Sequence, residues 1–227
     1  MERLDLVVAT ALSVETLVVR AALPGVRVVR TGMGPKRARA AATRWTAGTG
    51  WAARGAAAGG AAGTTGPAAL AVAGLCGGLD PRLRPGDVVV ASEVRGPDGV
   101  LACRSPHLLV AALARRGVPA HLGQLVSVDH LVRGDQRARL HAEGAVAADM
   151  ESAFLAAAAG LTTTSPTTPL VVLRVVVDAP GRELAHPRTV VNGPRALRAL
   201  RRAAPALADW AVGAVETMPS TIPKEVG

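Results

Sequence analysis

An α/β fold, with a largely parallel or mixed sheet carrying helices on both faces, is predicted by three features of this 227-residue chain. Short apolar runs such as LDLVVATA and LVVLRVVV read as strands buried on both faces. Helical stretches with one apolar face separate them. The alternation holds along the whole chain, the pattern of a sheet joined by crossover helices. A chain of this length buries roughly 70–75% of its unfolded surface, enough for a core without disulfide or metal support.

Leu4–Ala11 forms the first strand. A helix over Ser13–Ala22 follows, with Ser13 as N-cap and Pro24-Gly25 beyond its end. Val26–Thr31 is the second strand, running through Gly32-Met33-Gly34 into a basic helix that starts at Pro35. Residues 46–67 are rich in Ala, Gly and Thr and read as a mobile loop or frayed helix. Ala68–Ala73 is the next strand, and the glycine-rich run Gly74–Gly78 turns out of it. Strands over Val88–Val94 and Gly123–Val128 flank a helix over His107–Arg116. Asp149–Ala159 is an apolar helix, Leu170–Val177 the most hydrophobic strand, and Pro194–Val215 a long closing helix. No fixed-period repeat appears, so residues 1–216 form one domain and 217–227 a tail.

Composition narrows the function classes. The net charge of +9 comes from 24 arginines and two lysines against 17 acids, with basic clusters on three separate segments, 36–44, 133–139 and 195–202. Arg195, Arg198 and Arg202 fall on one helical face, away from Leu200 and Trp210, as a solvated face would have it. Three Trp, one Phe and no Tyr leave little for bases to stack on, which argues against nucleic acid as a partner. Cys76 and Cys103 show no CxxC spacing and read as reduced thiols. No signal-peptide pattern and no uninterrupted apolar run of about 18 residues is present, so a cytoplasmic location is expected. The five histidines are at least nine residues apart, and no metal site or cofactor is expected. GxGxxG, Walker and GxSxG motifs are absent.

Two acids stand in apolar surroundings. Asp178 ends LVVLRVVVD, with Arg174 on the same face of the strand by alternation. An acid at the carboxyl end of a central strand is where open α/β sheets build sites. Burial raises such a carboxyl's pKa and a guanidinium lowers it, a balance suited to protonating a leaving group. The alternative is a structural Asp capping the turn at Ala179-Pro180-Gly181. Glu151, in ADMESAF, opens an Ala- and Leu-rich helix, and sugar hydroxyls would satisfy it there. Its alternative is a carboxylate favoured by the helix dipole. Gly74–Gly78 and Thr31–Gly34 both permit close backbone approach to a ligand.

Taken together, GLCGGLDPRLRPGDVVV, ADMESAFLA and RVVVD resemble the nucleoside phosphorylase superfamily, particularly its methylthioadenosine/S-adenosylhomocysteine nucleosidases. The resemblance spans Leu4 to about Asp178, with ADMES its most specific stretch. It implies a single-domain three-layer α/β sandwich around a mixed, partly barrel-like sheet, assembled as a homo-oligomer. It also implies that Asp178 protonates or hydrogen-bonds the purine at N7, that Arg174 orients Asp178, and that Glu151 grips the ribose with Met150 against the sugar. Leu131 and Val132 fall where the family contacts the base, and Leu75, Gly77 and Gly78 line the glycine-rich run against the substrate. Glu15 is the one acid placed to activate water, while Gly32, Gly34 and Arg30 are candidates to hold phosphate as a co-substrate. Val72 and Leu75 stand where relatives carry polar contacts to phosphate or sugar, which leaves hydrolysis and phosphorolysis both open.

The tail from Arg174 to Trp210 is similar to hopanoid-associated phosphorylases, which release adenine from adenosylhopane. That implies a small-molecule nucleoside substrate, in this branch lipid-linked, and peripheral membrane contact through the basic surface. Two other classes remain: a nucleoside-binding relative without turnover, and a basic protein of nucleic-acid or membrane surfaces, whose affinity would fall steeply with salt.

Overall fold

The computed structural model describes residues 6–49, 69–159, 161, 168–180 and 189–217. Within them run strands β1 (Leu6–Thr10), β2 (Arg27–Arg30), β3 (Ala69–Gly78), β4 (Val88–Gly96), β5 (Gly99–Ala102), β6 (Ala120–Ser127), β7 (Ala145–Asp149) and β8 (Leu170–Asp178). The helices are α1 (Ser13–Ala22), α2 (Pro35–Thr49), α3 (Pro106–Arg115), α4 (Asp135–Ala142), α5 (Ser152–Ala158), α6 (Thr189–Ala203) and α7 (Ala206–Glu216).

The strands join in the order β2-β1-β3-β7-β6-β4-β5, and β8 pairs with both β3 and β4. Strands β3, β7, β6, β4 and β8 therefore close into a ring, with β1 and β2 extending from β3 and the β4–β5 hairpin from the other side. The sheet is mixed: β8 runs parallel to β3 and antiparallel to β4. This is the mixed, partly barrel-like α/β architecture expected from the sequence.

Side-chain alternation sorts the strands into two cores. Leu6, Val8, Val171, Leu173 and Val175 pack with Val19, Leu109, Leu113, Leu200, Leu207 and Trp210 from α1, α3, α6 and α7. Val7, Ala9, Leu70, Val72, Val172 and Val176 pack on the other side, with Ala38 and Ala42 of α2 and Phe154 and Leu155 of α5. Trp210 is fully buried, and its indole N–H donates to the Arg104 carbonyl at 3.0 Å, which makes burial of that polar edge tolerable. Arg195, Arg198 and Arg202 are exposed. Cys76 and Cys103 are free and buried.

Four differences from the sequence expectation bear on the site and its support. Leu12, not Ser13, is the N-cap of α1, and the side chain of Glu15 returns to the Leu12 N–H at 2.8 Å. The run Gly74–Gly78 does not turn but continues β3, pairing with β8 from Gly74 opposite Arg174 onward. The stretch Asp149–Ala159 divides, because Ala145–Asp149 pairs with β6 as β7 and α5 begins only at Ser152. The closing helix is two helices parted before Ala206, where Pro205 has no N–H to continue the ladder of α6. Of the segment 46–67, residues 46–49 extend α2, and the rest lies outside the described residues, as does the tail from 218. No helix among the described residues is long and apolar enough to cross a membrane.

Candidate active site

A cavity of about 500 Å³ opens where the carboxyl ends of β3, β7 and β8 meet the start of α1 and the loop after β6. Its lining holds the acids Glu15, Asp149, Glu151 and Asp178, with Met150, Leu75, Gly77, Leu131 and Val132 among its neutral walls. The sequence-derived acids Glu15, Glu151 and Asp178, carried by α1, the start of α5 and the end of β8, thus share one chamber.

Arg174 anchors its floor. The side chain is 1% exposed, and its Nη2 lies 2.5 Å from Asp149 Oδ2 and 3.6 Å from Glu151 Oε2. The same nitrogen donates to Ser152 Oγ at 2.9 Å. Asp149 is itself held on several sides: Ser127 Oγ donates to it at 2.5 Å, as does the Ser152 hydroxyl, and the Ser152 N–H lies 3.3 Å away. Burial alone would disfavour the Arg174 cation, but Asp149, Glu151 and Glu15 around it hold its pKa above the ordinary value. Breaking such a buried network from one side costs about 3–5 kcal/mol, because the remaining charge is left unpaired.

Glu151 is the N-cap of α5 and is buried. Its Oε1 accepts from the Gly34 N–H at 3.0 Å, tying β7–α5 to the glycine loop that precedes α2. Burial raises the Glu151 pKa; the Arg174 charge and the Gly34 N–H oppose that, while Asp149 and Glu15 add to it. Glu15 is 2% exposed. Its Oε2 accepts from the Ala11 and Leu12 N–H groups at 3.0 and 2.8 Å, and its Oε1 from the Leu75 N–H at 2.8 Å. Gly74 makes room for this arrangement: a Cβ there would stand 2.8 Å from both Glu15 Oε1 and Arg174 Nη1.

Asp178 is 2% exposed, and among the described residues the guanidinium that meets it is that of Arg137 on α4. This corrects the expectation that Arg174 orients Asp178. The physical reason is a bulge: Cys76 pairs with Val176, but the next residue, Gly77, pairs with Asp178, so Val177 is an extra residue in β8. Alternation fails there, and both Val177 and Asp178 face the cavity while Arg174 turns to Asp149. Arg137 Nη1 also donates to the Gly78 carbonyl at 2.8 Å. Arg137 escaped sequence reading except as one of a basic cluster, since nothing local marks which face of that short segment turns inward.

The remaining candidates sort by position. Leu131 is half exposed and Val132 buried, and both line the cavity with His130. Hydrogen bonds that the imidazole donates to Asp129 and Gln136 raise the His130 pKa. Gly78 contributes its carbonyl to Arg137 rather than a wall. Gly32 and Gly34 take positive φ, +86° and +89°, as the loop requires, but the Gly34 N–H is given to Glu151. Arg30 donates to Ser13 Oγ at 2.5 Å on the surface and is not part of the lining. Cys76 lines the cavity as a buried thiol whose pKa burial pushes up, so it is inert.

The architecture is shared with solved nucleosidases. The 5′-methylthioadenosine/S-adenosylhomocysteine nucleosidase of Campylobacter jejuni superposes with a TM-score of 0.69 at 13% identity, covering 90% of this chain and 97% of its own. S-adenosylhomocysteine nucleosidase of Streptococcus pyogenes, in complex with 5-methylthiotubericidin, gives 0.68 at 16%, covering 92% and 97%. The corresponding nucleosidase of Colwellia psychrerythraea, in complex with adenine, gives 0.64 at 19%, covering 94% and 96%. At these identities the likeness is one of fold. No curated protein sequence matches the chain. The family model of the phosphorylase superfamily matches residues 12–209, the stretch that contains every residue of the cavity but Ala11, and the chain belongs to that superfamily.

Proposed function

We propose that this protein cleaves the N-glycosidic bond of an adenine nucleoside bearing an apolar 5′ substituent, with water as the nucleophile. The observation that carries the reading is the convergence of Asp178, Glu151 and Glu15 on one cavity, with Met150 beside them. Glycosidic cleavage needs an acid at the base, an acceptor for the sugar hydroxyls and a base for the nucleophile. Asp178 gives a proton to N7 as the C1′–N9 bond breaks, so the electron pair of that bond leaves with a neutral purine. Glu151 accepts from the ribose hydroxyls, and Met150 packs on the sugar. Glu15 takes the proton of the water that adds to the oxocarbenium-like C1′. The products are adenine and a 5′-substituted ribose.

Two observations support water over phosphate. Arg30 is committed to Ser13 and the Gly34 amide to Glu151, so the residues expected to hold phosphate have other partners. Four acidic side chains line the cavity against two arginines, Arg133 and Arg137, and an acidic wall of this kind disfavours a dianion. The apolar 5′ group is supported by Leu12, Met33 and Leu131 in the lining, the latter two half exposed at its edge. The neighbours from Campylobacter and Colwellia are named for methylthioadenosine, which has such a group. Adenosylhopane, yielding ribosyl-hopane, is the extended form of this reading; a larger apolar 5′ group would leave by the same rim.

Adenine release from methylthioadenosine, adenosine and adenosylhopane, each with and without phosphate, tests it. Phosphate-independent release, fastest with an apolar 5′ group, is expected. Release only with phosphate would remove Glu15 from its role, and no release from any substrate would overturn the activity.

A further inference from the structure

We propose that Arg137 is the positioning residue of Asp178: it fixes the acid's carboxyl against the rim of β3 and sets the pH range over which the acid works. The inference rests on the proposed N-glycosidic activity for its kinetic arm only. Helix α4, DQRARLHA, is polar, and Arg137 is its buried residue. A helix seeking stability alone would turn an apolar side chain inward. Here Leu140 packs only half-buried on the core, and a 6% exposed guanidinium goes in deeper, with its Nε buried and lacking a hydrogen-bond partner, an arrangement unfavourable for stability.

The geometry gives that insertion a use. One end of the guanidinium meets Asp178 Oδ2 and the other donates to the Gly78 carbonyl at 2.8 Å, so the fork bridges the ends of β8 and β3. The bridge passes over Gly77, where a Cβ would lie 3.2 Å from Asp178 Oδ1 and 3.7 Å from Arg137 Nη2. Glycine at 77 thus leaves the space that the pair occupies. Because the extra residue Val177 loosens the end of β8, strand pairing alone does not fix the direction of Asp178, and a second tether is needed.

The charged and titratable groups around Asp178 come from several elements. Arg137 stands on α4, Cys76 on β3, Asp149 at the end of β7 and Glu151 at the start of α5; Arg174 is on β8, Glu15 on α1, and His130 and Arg133 lie in the loop after β6. Arg174 is engaged by Asp149 and Glu151, so Arg137 is the cation in direct contact with Asp178 among the described residues. A contacting cation favours the carboxylate over the acid. Removing it lets the protonated form persist to higher pH.

Arg137→Gln and Arg137→Lys, made in the full chain and compared with Asp178→Asn, test the assignment. Adenine release is followed from pH 5 to 9, and the Asp178 carboxyl is titrated by 13C NMR in the ligand-free protein. Arg137→Gln is expected to lower kcat about 10–100-fold with KM within about threefold, and to move the alkaline limb of kcat upward. Arg137→Lys, which restores the charge without the fork, should return the limb but only part of the rate. An unchanged limb together with an unchanged carboxyl titration would overturn the proposal, as would a rise in KM alone. If the wild type releases no base, the activity fails while the carboxyl titration still decides the role of Arg137. If Arg137→Gln does not fold, Arg137→Lys carries the test through the same limb and titration: both as in the wild type with kcat lowered supports the proposal, and kcat unchanged overturns it.

Discussion

The site turns on single carboxylates whose surroundings differ. Glu151 is raised above the usual glutamate range chiefly by burial, so the folded protein holds its proton at pH values where the unfolded chain has released it. Stability from this group is therefore greatest below the ordinary glutamate range and falls as pH rises through the raised folded value. Glu151→Gln should flatten that fall and leave Tm at neutral pH equal or higher, while weakening nucleoside binding about tenfold or more through loss of the ribose acceptor. Thermal melts from pH 4 to 8, paired with KM values, check both halves; a lower neutral-pH Tm would make the carboxylate a net stabiliser. Glu15 differs, because its oxygens already accept three backbone N–H groups. Glu15→Gln should lower kcat by about 10²-fold and leave KM nearly unchanged if the group activates water. Steady-state kinetics with saturating substrate decide this.

Among the elements, β3 and β8 do most to build the site, and they also show what a sequence reveals. Their continuous apolar runs made both strands legible, and the polar exceptions Arg174 and Asp178 stood out against them. Glu151 was legible for the same reason, as an acid ahead of an alanine-rich helix. The partner of Asp178 was not. Alternation predicts that Arg174 and Asp178 share a face, and the extra residue Val177 breaks the count between them. The ladder of β3 was also hidden, since glycine usually ends strands; here Gly74 is required by the crowding of Glu15 and Arg174 over it. Gly74→Ala should then destabilise the fold by about 1–3 kcal/mol and lower activity more than stability accounts for, since the added methyl pushes apart the two charged side chains. Urea melts and activity at a temperature where the variant remains folded measure the two effects separately.

For the molecule as a whole, the net charge of +9 does not define the site: the arginines of α6 are solvated, while the buried ones among the described residues, Arg137 and Arg174, are each paired with acids. The closed ring of β3, β7, β6, β4 and β8 brings together residues as distant in sequence as Glu15 and Asp178. Such long-range closure was beyond reach of local pattern, because strand order depends on pairings that no single segment encodes. A ligand that fills the cavity should stabilise this assembly by mass action, by about 2.7 kcal/mol at a hundredfold excess over Kd. A melting series with an uncleaved adenine nucleoside analogue should therefore show a rising Tm in the wild type and a smaller rise in Glu151→Gln. The measurement that bears most directly on the central claim is single-turnover adenine release by the wild type and Asp178→Asn on the same nucleoside. Release by the wild type and a loss of about 10²–10⁴-fold in the variant, with folding intact, are expected. Equal rates in the two proteins would contradict that claim.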